Sequence, residues 1–322
     1  MPLSADESVN QTAVDLVSTL QGIFGHHAGY RPAHAHGALL TGSFTPTSRA
    51  AELSCAPHLT ASSTPVTVRF SSSTGIPTIP DTDPNANPRG IAIRFHLPSD
   101  NNRRRHTDII AHSTPHFPAR TGAEFLEMLR AIAASGPDVP SPKPIEQFLA
   151  AHPAALAFVQ APKPSPASFA TAEFYGLNAF KLVAADGTGT FVRYVVTPTL
   201  GLSHLDDADL AAKPPSYLFD ALPGQVPMSF HLRAQVALPS DPTDDVTQHW
   251  PDDREVVDLG TLTLDAVVPP DEAAARQKHD IFDPTPRVTG VEPSADPIID
   301  MRASVYLISG RQRREACRQW RL

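Results

Sequence analysis

The sequence predicts an α+β protein, an antiparallel sheet that closes into a barrel with α-helices packed around it. Three observations carry this. Short runs of alternating apolar and polar residues, "AHGALLTGSF", "VTVRFSS" and "GIAIRFHL", are set apart by Gly, Pro and Ser clusters. Segments with three- and four-residue apolar spacing stand before and after them. The 322 residues include 34 prolines, which break helices and lengthen connections, and there is no internal repeat, low-complexity block or linker. One domain over residues 1–322 is therefore expected.

In chain order, residues 7–25 place Val9, Val14, Leu16, Val17, Leu20 and Ile23 at helical spacing, closed by Gly25. In "VTVRFSS", Val66, Val68 and Phe70 face one way and Thr67, Arg69 and Ser71 the other. An arginine inside a strand is either solvated on an outer face or aimed at an anionic ligand inside a barrel, and periodicity leaves both open. Residues 121–135 read as a helix with Thr121 as N-cap, Glu124 three residues on, and Phe125, Leu129 and Ile132 as its buried stripe. Residues 145–161 read as two helical pieces broken at Pro153. "NAFKLVAADGTGTFVRYVVTP" reads as a hairpin turning at Asp186-Gly187, "MSFHLRAQVAL" and "LGTLTLDAVV" as further strands, and the chain from Pro297 onward as a helix.

A formal charge of −8 argues against a general nucleic-acid partner. The basic runs "RRRH" (103–106) and "RQRREACRQWR" (311–321) read as a solvated loop and tail. Cys55 and Cys317 form no CxxC motif and read as free thiols in a reducing compartment, hence a cytoplasmic location. No signal-like run and no stretch near 18 apolar residues is seen, so no membrane span is expected. The last three residues, "WRL", are one position away from a small-basic-Leu peroxisomal address, with Trp320 where a small residue belongs, so a peroxisomal location is the alternative.

The richest motif is "GYRPAHAHG", with His34 and His36 two apart. On a strand they would share a face, and with His26 or His27 they could ligate a non-haem metal. No carboxylate stands at a telling spacing to support that reading. Near the C-terminus Arg302 and Tyr306 are four apart, one helical turn, so the arginine can stabilise a phenolate.

Taken together and in order, the motifs resemble the haem-dependent catalases, and more closely the small catalase-related peroxidases. "RPAHAHG", "VTVRFSSSTG", "PRGIAIRFH", "DIIAHSTPHFP", "SFATAEFYGLNAFKLVAADG", "HWPDDREVVDLGTLTL" and the stretch from "FDPTPRVTG" to "SGRQRR" cover nearly the whole chain. The resemblance implies a catalase-like barrel of about eight strands. It also implies a haem b cofactor with Tyr306 as axial iron ligand, Arg302 keeping that ligand ionised, and Arg31, Arg69 and Arg313 pairing with the haem propionates. His34 would be the distal acid–base residue, supported by Ser71, and Phe117 and Phe125 would line the pocket. His36 receives no role.

The chain departs from the family at His112, which stands where catalases have an asparagine that donates to bound peroxide. It also lacks the long wrapping segments of the larger catalases. Both departures point to a peroxidase that reduces hydrogen peroxide or organic hydroperoxides through a ferryl intermediate, with weak or no catalase activity. The expected partners are peroxide and a small organic reductant, and the family resemblance extends to a homodimer. The rival readings are a true catalase, a specific biosynthetic oxidation or hydroperoxide rearrangement, and a haem carrier or sensor.

Overall fold

The computed structural model describes residues 3–100 and 103–319, with side chains at 100, 103–104 and 317–319 left out. The terminal "WRL" and the Cys317 side chain lie outside the described residues, while Cys55 is a free thiol. Nine strands are described: β1 (Gly37–Pro46), β2 (Thr64–Ser71), β3 (Gly90–Asp100), β4 (Arg103–His112), β5 (Phe174–Val183), β6 (Gly189–Pro198), β7 (Met228–Val236), β8 (Val256–Val267) and β9 (Val291–Pro293). The helices are α1 (Glu7–Phe24), α2 (Ser48–Leu53), α3 (Pro57–Thr60), α4 (Gly122–Ala133), α5 (Pro144–Ala151), α6 (Pro153–Gln160), α7 (Asp207–Ala211), α8 (Tyr217–Gln225), α9 (Pro270–His279) and α10 (Pro297–Gln319).

The first eight strands pair antiparallel in the order β4-β3-β2-β1-β8-β7-β6-β5, and β4 meets β5 at His112 opposite Tyr175. That pairing closes the barrel, and β9 adds to β5 beyond it. Closure leaves each strand with an inner and an outer face. The inner face is filled by aromatics: Phe44, Phe70, Phe95, Phe174 and Phe230 are all fully buried. Phe70 stacks on Phe169 at 4.6 Å between ring centres.

Arg69 lies on the other face, opposite Leu39 of β1 and Ala92 of β3. Leu39, Ala92 and Ile110 pack outside the barrel on Ala273 of α9 and on Phe282. Arg69 therefore points out of the barrel yet is only 3% exposed. Both sequence expectations for it need correcting: a covering layer buries the outer face here, so the arginine is neither solvated nor inside the barrel. A second part of that layer is α1, α4 and α10, which meet through Leu16, Leu20, Leu126, Leu129 and Met301.

The predicted helix boundaries hold where caps are present. Asp6 accepts from the Ser8 amide, Thr121 accepts from the Glu124 amide at 3.1 Å, and Pro153 separates α5 from α6. Ile132 and Val14 are exposed rather than part of their helices' buried stripes, because α4 turns Leu126, Met128 and Leu129 inward and α1 turns Ala13, Leu16 and Val17 inward. The "RRRH" run is not a loop. It opens β4, with Arg105 and His106 exposed on a strand whose pairing with β3 outweighs its charge. No candidate metal cluster of His, Cys, Asp and Glu occurs among the described residues, and no helix there is long and apolar enough to cross a membrane.

A buried ion pair anchors the start of β3. Arg89 and Asp81 are both fully buried and meet at 3.0 Å, and Arg89 also donates to Ser72 at 2.8 Å and to Asn87 at 3.0 Å. Asp81 accepts in turn from the Leu218 amide at 3.0 Å, tying α8 to the barrel end. Removing one member strands the other charge in the interior. Arg89→Met is expected to cost about 3–5 kcal/mol of stability in urea titration, the usual range for a broken buried pair.

Candidate functional site

The ten residues given roles by the family resemblance line one cavity of about 300 Å³ between the outer face of β2–β4 and helices α1, α4 and α10: Arg31, His34, Arg69, Ser71, His112, Phe117, Phe125, Arg302, Tyr306 and Arg313, whereas His26, His27 and His36 do not line it. The size falls at the lower end of the usual range for enclosed ligand sites. Phe117 and Phe125 stand 5.6 Å apart between ring centres. With Leu16, Leu20, Met301 and Val305 they give the cavity an apolar lining.

One group is built on α10. Helical spacing brings Arg302 beside Tyr306, and its Nε donates to the phenolic oxygen at 2.9 Å. The same guanidinium donates to Asn178 Oδ1 at 2.6 Å, and Asn178 Nδ2 donates to Asp296 Oδ2 at 2.8 Å. Asp296 also accepts from the Ile298 amide at 2.9 Å, at the start of α10. Its carboxyl is pushed up by burial, against the opposing pull of Asn178 and Arg302. The sequence reading missed Asn178 and Asp296. Asn178 lies in β5 where the pairing with β6 shifts between Gly176 and Phe180, so no regular alternation marks which way it points.

A second group gathers the histidines. His34 adopts φ 55, rare for a residue with a β-carbon, and its amide donates to Ser73 O at 3.0 Å. Its Nδ1 lies 3.1 Å from Ser71 Oγ. Gly90 makes room for this contact, since a β-carbon there would lie 2.6 Å from Ser71 Oγ and 3.0 Å from His34 Nδ1. Burial, and next the positive charge of Arg69, lower the His34 pKa to about 4, so the ring is neutral near pH 7. His112 is lowered to about 3 by burial and then by His34, and its buried Nε2 has no hydrogen-bond partner. His36 departs from the paired-ligand reading. It packs against Phe219 with ring centres 4.0 Å apart and the planes tilted by 31°, and because His34 sits outside any strand the two rings share no face.

The third group is cationic. Arg31 and Arg313 both donate to the carbonyl of Asp280, at 3.0 and 3.1 Å. Arg69 donates to Gln277 Oε1 at 2.6 Å and to the carbonyls of His34 and Ala35 at 2.8 and 3.2 Å. Gly37 admits that guanidinium, because a β-carbon there would lie 2.5 Å from it. Burial, then their mutual repulsion, hold Arg31 well below the ordinary guanidinium range and Arg69 at about 9. Burial chiefly lowers Arg313 to about 10. The segment bearing Asp280 is pinned from behind. Arg94 grips Asp108 with two hydrogen bonds of 2.8 and 2.7 Å, and Asp108 accepts from the Asp283 amide at 2.8 Å.

A sequence profile described as Catalase matches residues 16–318. The chain is 35% identical over 299 residues to the catalase-related peroxidase of Mycolicibacterium paratuberculosis, covering 91% of this chain and 92% of that one. It is 33% identical over 308 residues to the catalase-related peroxidase of Synechococcus elongatus, covering 92% and 87%. The chain belongs to the catalase family. Solved catalases share its fold: a fungal catalase superposes with a TM-score of 0.75 at 22% identity, and catalase A from Saccharomyces cerevisiae with 0.75 at 21%. The chain spans only 62% and 64% of those two chains.

The family implies a haem cofactor, and the residues present fit one. The hydrogen-bond acceptors of Arg31 and Arg69 are neutral, so anionic groups entering this cluster would meet guanidiniums not already hydrogen-bonded to a carboxylate. The apolar lining suits a flat macrocycle, and the Tyr306 oxygen, hydrogen-bonded to Arg302, is an oxygen ligand of the kind ferric haem takes. Asn178→Leu removes the acceptor that holds Arg302 and leaves Asp296 short of a donor. It is expected to lower stability by about 1–3 kcal/mol in thermal denaturation, the cost of stranded buried polar groups.

Proposed function

We propose that the protein is a haem-dependent peroxidase, carrying haem b, that reduces hydrogen peroxide or organic hydroperoxides at the expense of an organic donor. The observation that carries this is the meeting of two devices in one cavity: a tyrosine held by an arginine, and a neutral histidine held by a serine. A store or carrier of haem needs the first and has no use for the second. The names of the two close relatives, both catalase-related peroxidases, support the same reading.

Bound haem would supply the iron redox centre for two-electron reduction of the hydroperoxide. Tyr306 would be the protein ligand, with Arg302 Nε donating to its oxygen and so fixing its position. Arg31, Arg69 and Arg313 would hold the propionates. With Nδ1–H directed at Ser71 Oγ, the Nε2 of His34 keeps a free lone pair. It can accept the proton of the incoming hydroperoxide and hand it to the departing oxygen, which leaves as water or an alcohol. His112 stands where related catalases have an asparagine. Its unpartnered Nε2 can donate to the hydroperoxide or accept from it, which changes how that molecule is oriented.

The balance between a second peroxide and an organic donor as reductant is read by following oxygen release and donor oxidation in parallel. Donor oxidation with little oxygen is expected, and vigorous oxygen release with little donor turnover would make the protein a catalase. His34→Ala is expected to keep its haem absorption band and to react with hydroperoxide about 10²–10⁴-fold more slowly in stopped flow, the usual weight of general acid–base catalysis. The wild-type rate should be level from neutral pH down to about 5 and fall as His34, at about 4, becomes protonated and loses its lone pair. Folding stability follows the same sign: a histidine whose pKa is depressed on folding contributes fully above its unfolded value near 6.5, and that contribution is lost as pH falls through about 4.

A further inference from the structure

Tyr175 belongs to none of the groups described so far, yet it faces the cavity. It stands opposite His112 where β5 meets β4. Directly opposed residues of an antiparallel pair place their side chains about 5 Å apart. Its phenolic hydroxyl donates to Glu173 Oε2, and the other oxygen of that carboxylate accepts from Thr197 Oγ1 at 3.0 Å. Among the described residues it is the only tyrosine seen donating to a carboxylate. Tyr217 donates to the Pro166 carbonyl, and Tyr306 receives a bond from Arg302. Both Tyr175 and Glu173 are half-buried. Outward from them lie Asp252, whose side chain is 96% exposed, and His249, 45% exposed and 3.1 Å from Asp252. The pair thus bridges the cavity and the solvent.

We propose that Tyr175 and Glu173 form a proton-coupled one-electron relay that serves aromatic donors too large to enter the cavity. This rests on the peroxidase reading above. In the forward step Tyr175 loses one electron to the peroxide-oxidised haem and its phenolic proton crosses to Glu173. An aromatic amine or phenol at the surface then returns one electron to Tyr175, and Glu173 returns the proton. The donor leaves as its one-electron-oxidised radical, and two such cycles use the two oxidising equivalents of one hydroperoxide.

The chemistry follows from the placement. Burial, with the Glu173 carboxylate beside it, holds the Tyr175 phenol firmly protonated, so the electron can leave cheaply only if the proton has somewhere to go. Glu173 is that acceptor, already aligned. Trp250, two residues before Asp252, is poorly suited to the task. It is fully buried, and the guanidinium of Arg193 lies 4.4 Å from the centre of its ring, where a positive charge opposes a cation radical.

Two measurements test the relay. The first uses the apoprotein and an external photochemical one-electron oxidant, and follows tyrosyl radical formation by transient absorption. Wild type should form the radical roughly tenfold faster than Glu173→Gln, the weight of a hydrogen bond to a charged group, and Tyr175→Phe should lose the fast component. The second adds hydroperoxide to the haem-loaded protein and freezes it for electron paramagnetic resonance. A tyrosyl signal in wild type that vanishes in Tyr175→Phe supports the relay. Equal photo-oxidation in wild type and Glu173→Gln, or an unchanged radical in Tyr175→Phe, overturns it. The absorption change of the wild-type haem on mixing reports the peroxidase reading separately: a haem that reacts while Tyr175 stays silent sinks the relay alone.

Discussion

Three guanidiniums brought into one buried cavity set the terms for the rest of the molecule. Arg31 precedes the first strand, Arg69 sits on β2, and Arg313 lies late in α10. Each pays a desolvation cost, and the group repels itself. Arg31 and Arg313 share the Asp280 carbonyl, Arg69 donates to Gln277 and to the carbonyls of His34 and Ala35, and the Asp280 carbonyl is held from behind. Asp280 O serves two of the three arginines, and its segment is fastened to the barrel by Arg94 and Asp108. A site that gathers three guanidiniums is suited to a ligand with more than one negative charge.

The same field governs the histidines. Arg69, Arg302 and Arg31 all act with burial to keep His34 unprotonated. His112 is kept neutral by burial, by His34 and by Arg302. The charges that would hold an anionic cofactor therefore also keep the proposed base in its working form. The barrel makes both effects possible. Its inner face is packed with aromatic rings, so the polar residues of β2 and β4 are presented outward, under the cover of α1, α4, α9 and α10.

Much of this was legible in the sequence. Alternation marked most barrel strands, Thr121 and Pro153 marked helix limits, and the ordered motifs brought ten cavity residues into view. What stayed hidden was hidden for physical reasons. The arginine run that opens β4 looks like a loop, because its pairing with β3 is non-local and leaves no trace in composition. The exposed or covered state of Arg69 depends on a layer more than 200 residues away in sequence. Asn178 and Tyr175 sit in a strand whose register shifts, and the Asp280 contribution comes from a backbone carbonyl, which has no residue signature at all.

Tyr306 and the arginine cluster would together make a haem site. Titration of the purified protein with ferric haem, followed by absorption spectroscopy, tests it most directly. One haem bound per chain is expected, with an intense Soret band and a phenolate-ligand spectrum that disappears in Tyr306→Phe. Failure to bind haem stoichiometrically, or a Tyr306→Phe spectrum identical to wild type, would contradict it.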